Sequence, residues 1–245
     1  MKKSLRFTLG EALAVFVILA FATPMISAAG REGGPARPER GGFAGQAIVS
    51  RGIFSGPMVQ PHAKIYGKTY GEWSAEWWKW VLAVPGSTNP LVDSTGEFCA
   101  EGQDGKVWYL AGTFGGSAER NCSVPAGRPV FFPLLNFLFI CTEPGETEAI
   151  ARESVNSGAD KIDALEVNLD GKPVPMLRNH RAESPAFNTT FPEGNLFGIA
   201  PGVYGPSVSD GYWVMLFLKP GNHELSFSGK KDDFELNVTY HLTVE

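Results

Sequence analysis

The strongest constraint on the fold is the alternation of apolar and polar residues at the C-terminal end of the chain. In Phe234–Val244 every second residue is apolar, and the residues between them are Glu, Asn, Thr and His. Successive side chains of a strand point to opposite faces, so this pattern predicts a strand with one buried and one exposed face. Upstream, the segment "GYWVMLFL" is apolar throughout, which predicts a central strand covered on both faces.

Further strand patterns, with turn signals between them, run through the chain. The segment "LEVNLDGKPVPML" predicts two short strands joined at Asp170-Gly171, a strong hairpin signal. The segments "KVWYLAG", "RPVFFPLL" and "HELSFSG" predict three more, with an edge or a bend at Pro133. A helical insertion is predicted at Glu146–Val155, with Gly158 near its end. The sequence therefore predicts a mainly β fold, an antiparallel β-sandwich or jelly roll.

Four of the six tryptophans lie in Thr69–Trp80, "TYGEWSAEWWKW". Thr69 and Glu72 have the spacing of a capping box, and Pro85-Gly86 ends the helix that it begins. Trp73, Trp77 and Trp80 share one stripe of this helix, so we expect them to be buried against the sheet. The helix would close one open face or end of the sandwich, with Trp78 partly exposed as the main alternative to complete burial.

The beginning of the chain resembles a secretory signal. In residues 1–29, a basic start precedes the apolar run Leu13–Phe21, which is too short to span a bilayer, and small residues follow at Ser27-Ala28-Ala29. The alternative is an uncleaved anchor. Residues 30–61 are rich in Gly, Arg and Pro, which predicts a disordered linker, and residues 62–245 form one predicted domain. The sequence thus predicts an exported protein, periplasmic or extracellular, with no transmembrane segment after cleavage.

Charge and cysteine usage fit this location. Without residues 1–29 the chain has 18 basic and 25 acidic residues, a net charge of −7. A moderately acidic protein is a poor candidate for binding nucleic acid, whose phosphates require a basic surface. Cys99 and Cys122 lie in polar, Gly-rich surroundings on either side of an apolar run, which predicts a disulfide between loops. Cys141 ends an apolar run and is interpreted as a small buried side chain.

No motif in the sequence specifies a reaction. Glu72 and Glu76 lie one helical turn apart, as paired catalytic carboxylates might, but the capping box and the solvent-facing side of the helix explain them. The four histidines are scattered, without the spacing of a zinc or copper site. Oxygen ligands for calcium occur in "VDSTGE" and "KKDDF", where turn chemistry is an equal explanation. We therefore predict no catalytic residue, metal or cofactor.

A few polar residues stand out from their surroundings. Asn136 interrupts "FFPLLNFLF", where we expect a buried amide hydrogen-bonded to the backbone. Two arginines, a histidine and an aspartate could form a patch that binds an anion or a sugar, although a solvated loop is the simpler interpretation. With Trp78, the candidate binding residues are Arg178, His180, Arg181 and Asp210.

Several phrases resemble one family. They are "YGKTYGEWSAEWWKWVLAVP", the Asp93…Cys99…Gln103 stretch, "VWYLAGT", the "R-x-C-x-V-P-A-G" motif, "FFPLLN" and the closing "DGYWVMLFLKPGNHELSFSG…NVTYHLTV". Together they cover nearly all of 62–245 and resemble an uncharacterised family of exported bacterial proteins. The resemblance implies a bacterial source and an extracytoplasmic location. It implies no activity and no site residues.

Three hypotheses for function follow. The first is an exported, non-catalytic β-sandwich that binds a glycan, another envelope component or a protein. The second is a secreted hydrolase or lyase on a jelly-roll scaffold, which a concave pocket with two acidic groups or a histidine–carboxylate pair would favour. The third is a structural subunit of an envelope assembly. The sequence leaves the ligand and the oligomeric state open.

Overall fold

The computed structural model describes residues 57–245 of the chain, so the predicted signal and most of the predicted linker lie outside the described residues. Within 57–245 there are two α-helices, α1 (Tyr70–Ala83) and α2 (Glu148–Ala159), with short 3₁₀ helices at Gly86–Thr88 and Leu177–His180. The strands are β1 (Trp108–Tyr109), β2 (Gly116–Val124), β3 (Val130–Ile140), β4 (Ala164–Leu169), β5 (Lys172–Pro173), β6 (Phe187–Phe191), β7 (Gly202–Leu216), β8 (Gly221–Lys231) and β9 (Phe234–Val244).

The strands form two sheets, which confirms the predicted mainly β, sandwich-like fold. One sheet has the strand order β1-β3-β7-β6, and the other has the order β2-β9-β8-β4-β5. The sheets are mixed rather than purely antiparallel, because β1 pairs with β3 and β2 pairs with β9 in parallel. These parallel pairs join segments that are distant in sequence, and the alternation within each strand carries no information about its partner.

The central pair β3–β7 is buried on both faces. Toward the five-stranded sheet it contributes residues such as Phe132 and Val214 to the main core. Its other face carries Phe131 and Trp213, whose rings stack with centroids 5.2 Å apart beneath α1. The molecule therefore has three layers, with the four-stranded sheet between the five-stranded sheet and α1. The predicted central strand "GYWVMLFL" is the second half of β7.

Helix α1 begins and is buried as its sequence predicts. The Thr69 hydroxyl accepts from the Glu72 amide at 3.2 Å, and the Glu72 carboxylate accepts from the Thr69 amide at 2.7 Å, which completes the capping box. Trp73, Trp77 and Trp80 are all buried, and each indole N–H donates to a backbone carbonyl outside the helix. Trp78 is only 4% exposed, so the partly exposed alternative is wrong.

One edge of β7 is shared by three separate segments. Strand β6 pairs with its beginning, and the segment after the second 3₁₀ helix bonds its middle, where the Ser184 amide donates to the Ser209 carbonyl at 2.8 Å. The Val59 amide donates to the Met215 carbonyl at 2.9 Å at its end. Val59 falls within the range assigned to the linker from sequence, and it is fully buried in this structure.

Local turn chemistry accounts for several details. Asp170 and Gly171 both have positive φ, 52° and 72°, as the predicted two-residue hairpin between β4 and β5 requires.

Pro133 marks a bend rather than an edge, because the β3–β7 register shifts between Pro133 and Leu135 while β3 stays central. Helix α2 is the predicted insertion. Its Gly158 permits close packing, since a Cβ there would lie 2.6 Å from the Phe137 ring.

The disulfide prediction is confirmed, with one correction to its surroundings. Cys99 and Cys122 are bonded, with their Cα atoms 6.0 Å apart, and Cys141 is a buried free thiol. Cys122, however, lies within strand β2 and not in a loop. The bond therefore attaches the loop that contains Cys99 directly to the edge of the five-stranded sheet.

We predict that Trp77→Ala will destabilise the protein by about 3–5 kcal/mol, the usual cost of truncating a large buried aromatic side chain. Trp77 is 1% exposed, its ring contacts Trp213 at 5.5 Å, and its N–H donates to the Leu110 carbonyl. Urea denaturation followed by far-UV circular dichroism measures the change. Ile150→Ala, at a largely exposed position of α2, is the matched control and should shift stability by less than about 0.5 kcal/mol. Equal midpoints for Trp77→Ala and the parent would contradict a core role.

Candidate functional site

A small cavity lies between α1, β3 and the beginning of β9. Its volume is about 50 Å³, and its wall is largely apolar. Residues of the wall include Trp77, Leu91, Leu134, Leu135 and Leu236. Three residues whose side chains carry polar atoms also line the space: Trp78, Thr113 and Asn136. We call this space the Trp78 cavity. An apolar pocket with a few convergent polar groups is the usual form of a small-ligand site.

The three polar side chains of the Trp78 cavity have unsatisfied hydrogen-bonding atoms. The Trp78 indole nitrogen, the Thr113 hydroxyl and the Asn136 amide nitrogen are all buried, and none has a hydrogen-bond partner within 57–245. Our expectation that the backbone satisfies the Asn136 amide is therefore wrong for its nitrogen. A buried polar group without a partner costs about 1–3 kcal/mol, so three around one space favour an occupant with complementary atoms. The indole nitrogens of Trp108 and Trp213 also lack a hydrogen-bond partner within 57–245, but neither residue lines this cavity.

The irregular geometry of β3 places Asn136 in the wall. The register shift between Pro133 and Leu135 locally breaks the two-residue alternation, so Leu134, Leu135 and Asn136 all line the cavity. Opposite Asn136 in the ladder is Gly211, where an added Cβ would lie 2.5 Å from the Asn136 Cα. Glycine is therefore required at position 211 for the two strands to approach at this point.

A buried arginine fixes the loop that carries Thr113. Arg120, on β2, is 1% exposed, and its guanidinium donates to the carbonyls of Ala111 at 2.6 Å and Gly112 at 3.0 Å. It also donates to the Tyr240 hydroxyl at 2.7 Å, and the Ala111 amide donates to that same hydroxyl at 3.1 Å. Burial raises the pKa of Tyr240, so the phenol stays protonated and donates to the Ala111 carbonyl.

The same arginine reaches the turn that precedes the disulfide. Its Nε donates to the Asp93 carbonyl at 2.7 Å. The Asp93 carboxylate accepts from the amides of Phe98, Thr95 and Gly96, at 2.9, 2.8 and 3.0 Å. Burial acts to raise the pKa of Asp93, but these hydrogen bonds outweigh it and hold the pKa below its usual value. The Asp93 carboxylate thus closes a turn, which is the alternative to calcium binding that the sequence allows.

The predicted binding patch is divided in the structure. Arg181 donates to the fully buried carboxylate of Asp210 at 2.6 and 3.0 Å and also pairs with Asp160, so this guanidinium joins β7 to the end of α2. Arg178 is exposed and donates to the Asp163 carbonyl at 2.7 Å. His180 is 1% exposed, and burial followed by the nearby charge of His62 lowers its pKa to about 4. Ligand binding by these residues stays a prediction, and Trp78 lies in the cavity apart from them.

The acidic residues of α1 have structural partners. Glu72 belongs to the capping box, and Glu76 forms ion pairs with Lys68 at 3.1 Å and Lys79 at 3.2 Å.

Across 57–245, no three side chains of the His, Cys, Asp and Glu types are grouped so that they could hold a metal ion. In the same part of the chain, no helix has the length and apolar character needed to cross a membrane.

We predict that Arg120→Met will destabilise the protein by about 3–5 kcal/mol, because it leaves several buried acceptors unpaired at once. Thermal and urea denaturation measure the loss. Arg178→Met is the control. Arg178 is exposed, donates to one carbonyl and lies over the Tyr212 ring at 5.6 Å, so its loss should change stability by less than about 1 kcal/mol. If the two variants unfold at the same urea concentration, the Arg120 network does not hold the loop.

Comparison of the chain with protein-family models, with curated proteins and with solved structures finds no significant match, so the resemblance noted from the sequence stays a prediction.

Proposed function

We propose that this protein is an exported, non-catalytic binding protein that recognises a glycan by inserting one N-acetyl group into the Trp78 cavity. The observation that carries the proposal is that three side chains with unpartnered, buried polar atoms line one small, largely apolar space. The proposal gives a specific chemistry to the glycan partner expected from the sequence.

The size of the cavity selects a small group. A volume of 50 Å³ has room for about three to five water molecules, since each needs roughly 10–15 Å³ on this measure. A whole sugar ring does not fit in such a space, but an acetamido substituent is of the right size. The ring would then stay outside, at the surface of the protein.

The polar atoms complement an acetamido group. Its carbonyl oxygen accepts hydrogen bonds, which the Trp78 indole and the Asn136 amide can donate. Its N–H requires an acceptor, and the Thr113 hydroxyl has two lone pairs. Its methyl group matches the leucine side chains of the wall. A neutral sugar hydroxyl would satisfy the donors but would leave the apolar wall without a partner.

Aromatic side chains flank the opening. Phe114 and Phe234 line the cavity and are both partly exposed. Phe114 lies on the loop before β2, and Phe234 begins β9. Rings at such positions offer apolar surface to the C–H face of a sugar while the substituent enters the cavity. The buried tryptophans of α1 form the wall of the site, whereas the exposed rings come from the loop and the strand.

Two observations support export. The start of the sequence has the pattern of a secretory signal, and the Cys99–Cys122 disulfide is a bond that persists in oxidising compartments such as the periplasm or the extracellular space. Acetylated amino sugars occur in the envelope of bacteria, which is where such a protein would meet them.

We predict that the protein binds N,N′,N″-triacetylchitotriose and does not bind cellotriose, which has the same backbone linkage without acetamido groups. Isothermal titration calorimetry measures both affinities. Trp78→Phe keeps an aromatic ring but removes the indole donor, and it should weaken binding by about 0.5–1.5 kcal/mol, the usual worth of one hydrogen bond. Thr113→Val should have an effect of similar size, because it removes the hydroxyl.

Trp213→Phe is the matched control. Trp213 is fully buried and its indole nitrogen is also unpartnered, but it does not line the Trp78 cavity. This substitution should leave the affinity for the chitotriose unchanged. Equal binding of cellotriose, or an equal loss of affinity in Trp78→Phe and Trp213→Phe, would contradict the proposed site.

A second candidate function, hydrolysis, is favoured by a different surface. A concavity of about 530 Å³ near the disulfide is lined by His223, Glu224 and His241, among others. The Nε2 atom of His241 lies 2.8 Å from a Glu119 oxygen, and its Nδ1 atom lies 3.9 Å from Glu224. This is the histidine–carboxylate arrangement that an enzyme would use. Both glutamates are largely exposed, which gives the group little of the preorganisation that catalysis requires.

For this reason we predict no cleavage of chitooligosaccharides by the protein, as measured by mass spectrometry of the products after prolonged incubation. Cleavage by the parent that is abolished in His241→Gln would replace the binding proposal by the enzymatic one. Cleavage that persists in His241→Gln would be assigned to a contaminating enzyme.

A further inference from the structure

A second pocket, on a different part of the surface, brings together two imidazoles and two thioethers. Its volume is about 280 Å³, and it lies between the N-terminal segment that joins the end of β7 and the second 3₁₀ helix. The four side chains that concern us are Met58, His62, Met176 and His180. We call it the imidazole–thioether pocket. The two segments are more than a hundred residues apart in sequence, so the histidine spacing gives no sign of it.

His180 is the most constrained side chain of this pocket. It is 1% exposed, its ring contacts the Tyr70 ring edge-on at 5.6 Å, and its Nδ1 atom has no hydrogen-bond partner within 57–245. A core histidine normally has its ring nitrogens hydrogen-bonded, because an unpaired buried nitrogen costs free energy. The Nδ1 atom itself is closed to solvent, but His180 lines the pocket, so a small shift of its imidazole ring would bring a nitrogen to an ion bound there.

Met176, in contrast to the buried His180, is largely exposed. It is 67% exposed, and its backbone adopts the left-handed conformation, with φ of 62° and ψ of 28°, directly before the 3₁₀ helix that carries His180. A large apolar side chain at such an exposed position gains nothing from burial, and the backbone conformation costs about 1–3 kcal/mol. Across the pocket, Met58 is half-buried and His62 is exposed. Both methionines are flexible enough to turn their sulfur atoms toward a shared ligand.

We propose that the imidazole–thioether pocket binds one Cu(I) ion. Thioether sulfur and imidazole nitrogen are soft and intermediate donors, and in proteins this combination selects Cu(I). Zinc prefers imidazole together with thiolate or carboxylate, and calcium and magnesium prefer oxygen. The other residues that line the pocket are Gln60, Pro61 and Asn179, so it contains no carboxylate or thiol among the described residues. This inference is independent of the Trp78 cavity.

The test is a Cu(I) titration of the full-length protein without oxygen, with ascorbate as the reductant and bicinchoninate as the competing chelator. We expect one equivalent of Cu(I) to be withdrawn from the chelator. Met58→Leu and Met176→Leu remove one sulfur each at nearly constant volume. Each substitution should weaken Cu(I) binding by at least about 10- to 100-fold. Loss of an outer-shell partner of a metal ligand already has an effect of that size, and a direct ligand contributes more. His62→Gln, at an exposed position, should have a similar effect.

Two controls separate this pocket from other copper ligands of the chain. Cys141→Ser removes the one free thiol, and His241→Gln removes a histidine from another surface, and both should keep the parent affinity. X-ray absorption of the copper complex should show two sulfur and two nitrogen neighbours. No competition with bicinchoninate, loss of binding in Cys141→Ser alone, or tighter binding of Zn(II) than of Cu(I) would each overturn the proposal. Unchanged affinity in both methionine variants would do so as well.

Discussion

The structure depends on the pairing of β3 with β7. Where they pair, both strands are almost completely buried and mostly apolar, so the pair must be covered from two sides. The five-stranded sheet and α2 cover one face, and α1 covers the other. This requirement explains why the helix carries four tryptophans, since a single helix must cover a broad apolar surface. It also explains why ten of the fourteen residues of α1 are buried, since a single apolar stripe would bury fewer of them.

The proposed glycan site arises where this layered core is interrupted. At the bulge of β3 the strand no longer alternates, and α1, β9 and the loop before β2 do not fill the space completely. The Arg120 guanidinium holds that loop through backbone carbonyls, so the position of Thr113 depends on a charge buried some distance away. Rigid placement of the donors reduces the ordering that a ligand must impose, which favours recognition of a small group.

Sequence patterns predict those parts of the fold whose signals are local. The alternation in β9, the apolar run of β7, the Asp170-Gly171 turn and the Thr69 capping box are all present as expected. Strand β2 escapes detection because its inward-facing positions include Arg120, a charged residue where the pattern requires an apolar one. Strand β6 is hidden for a similar reason, since Thr189 is fully buried between Phe187 and Phe191.

The sites are less predictable than the fold. The sequence singled out Trp78, Asn136 and His180 as unusual, and each proves to have an unpartnered nitrogen. It did not indicate Thr113 or Met176, because neither residue type is remarkable in its local context. Which side chains meet depends on the bulge of β3 and on the closure of the β7 edge by segments from three parts of the chain. Contacts of this kind have no counterpart in sequence periodicity.

The parallel pairing of β2 with β9 has a consequence for the order of events during synthesis. Gly116 pairs with Leu236 and Val124 pairs with Val244, so β2 has no neighbour in its sheet until the residues of β9 are available. Bringing such distant segments together carries a large loop-closure cost, which makes folding slow compared with helical bundles of similar size. The β2 edge of the five-stranded sheet therefore forms only after β9 has been synthesised. Until β9 is made, Arg120 on β2 also lacks the Tyr240 hydroxyl to which its guanidinium donates, so a buried charge waits for one of its partners.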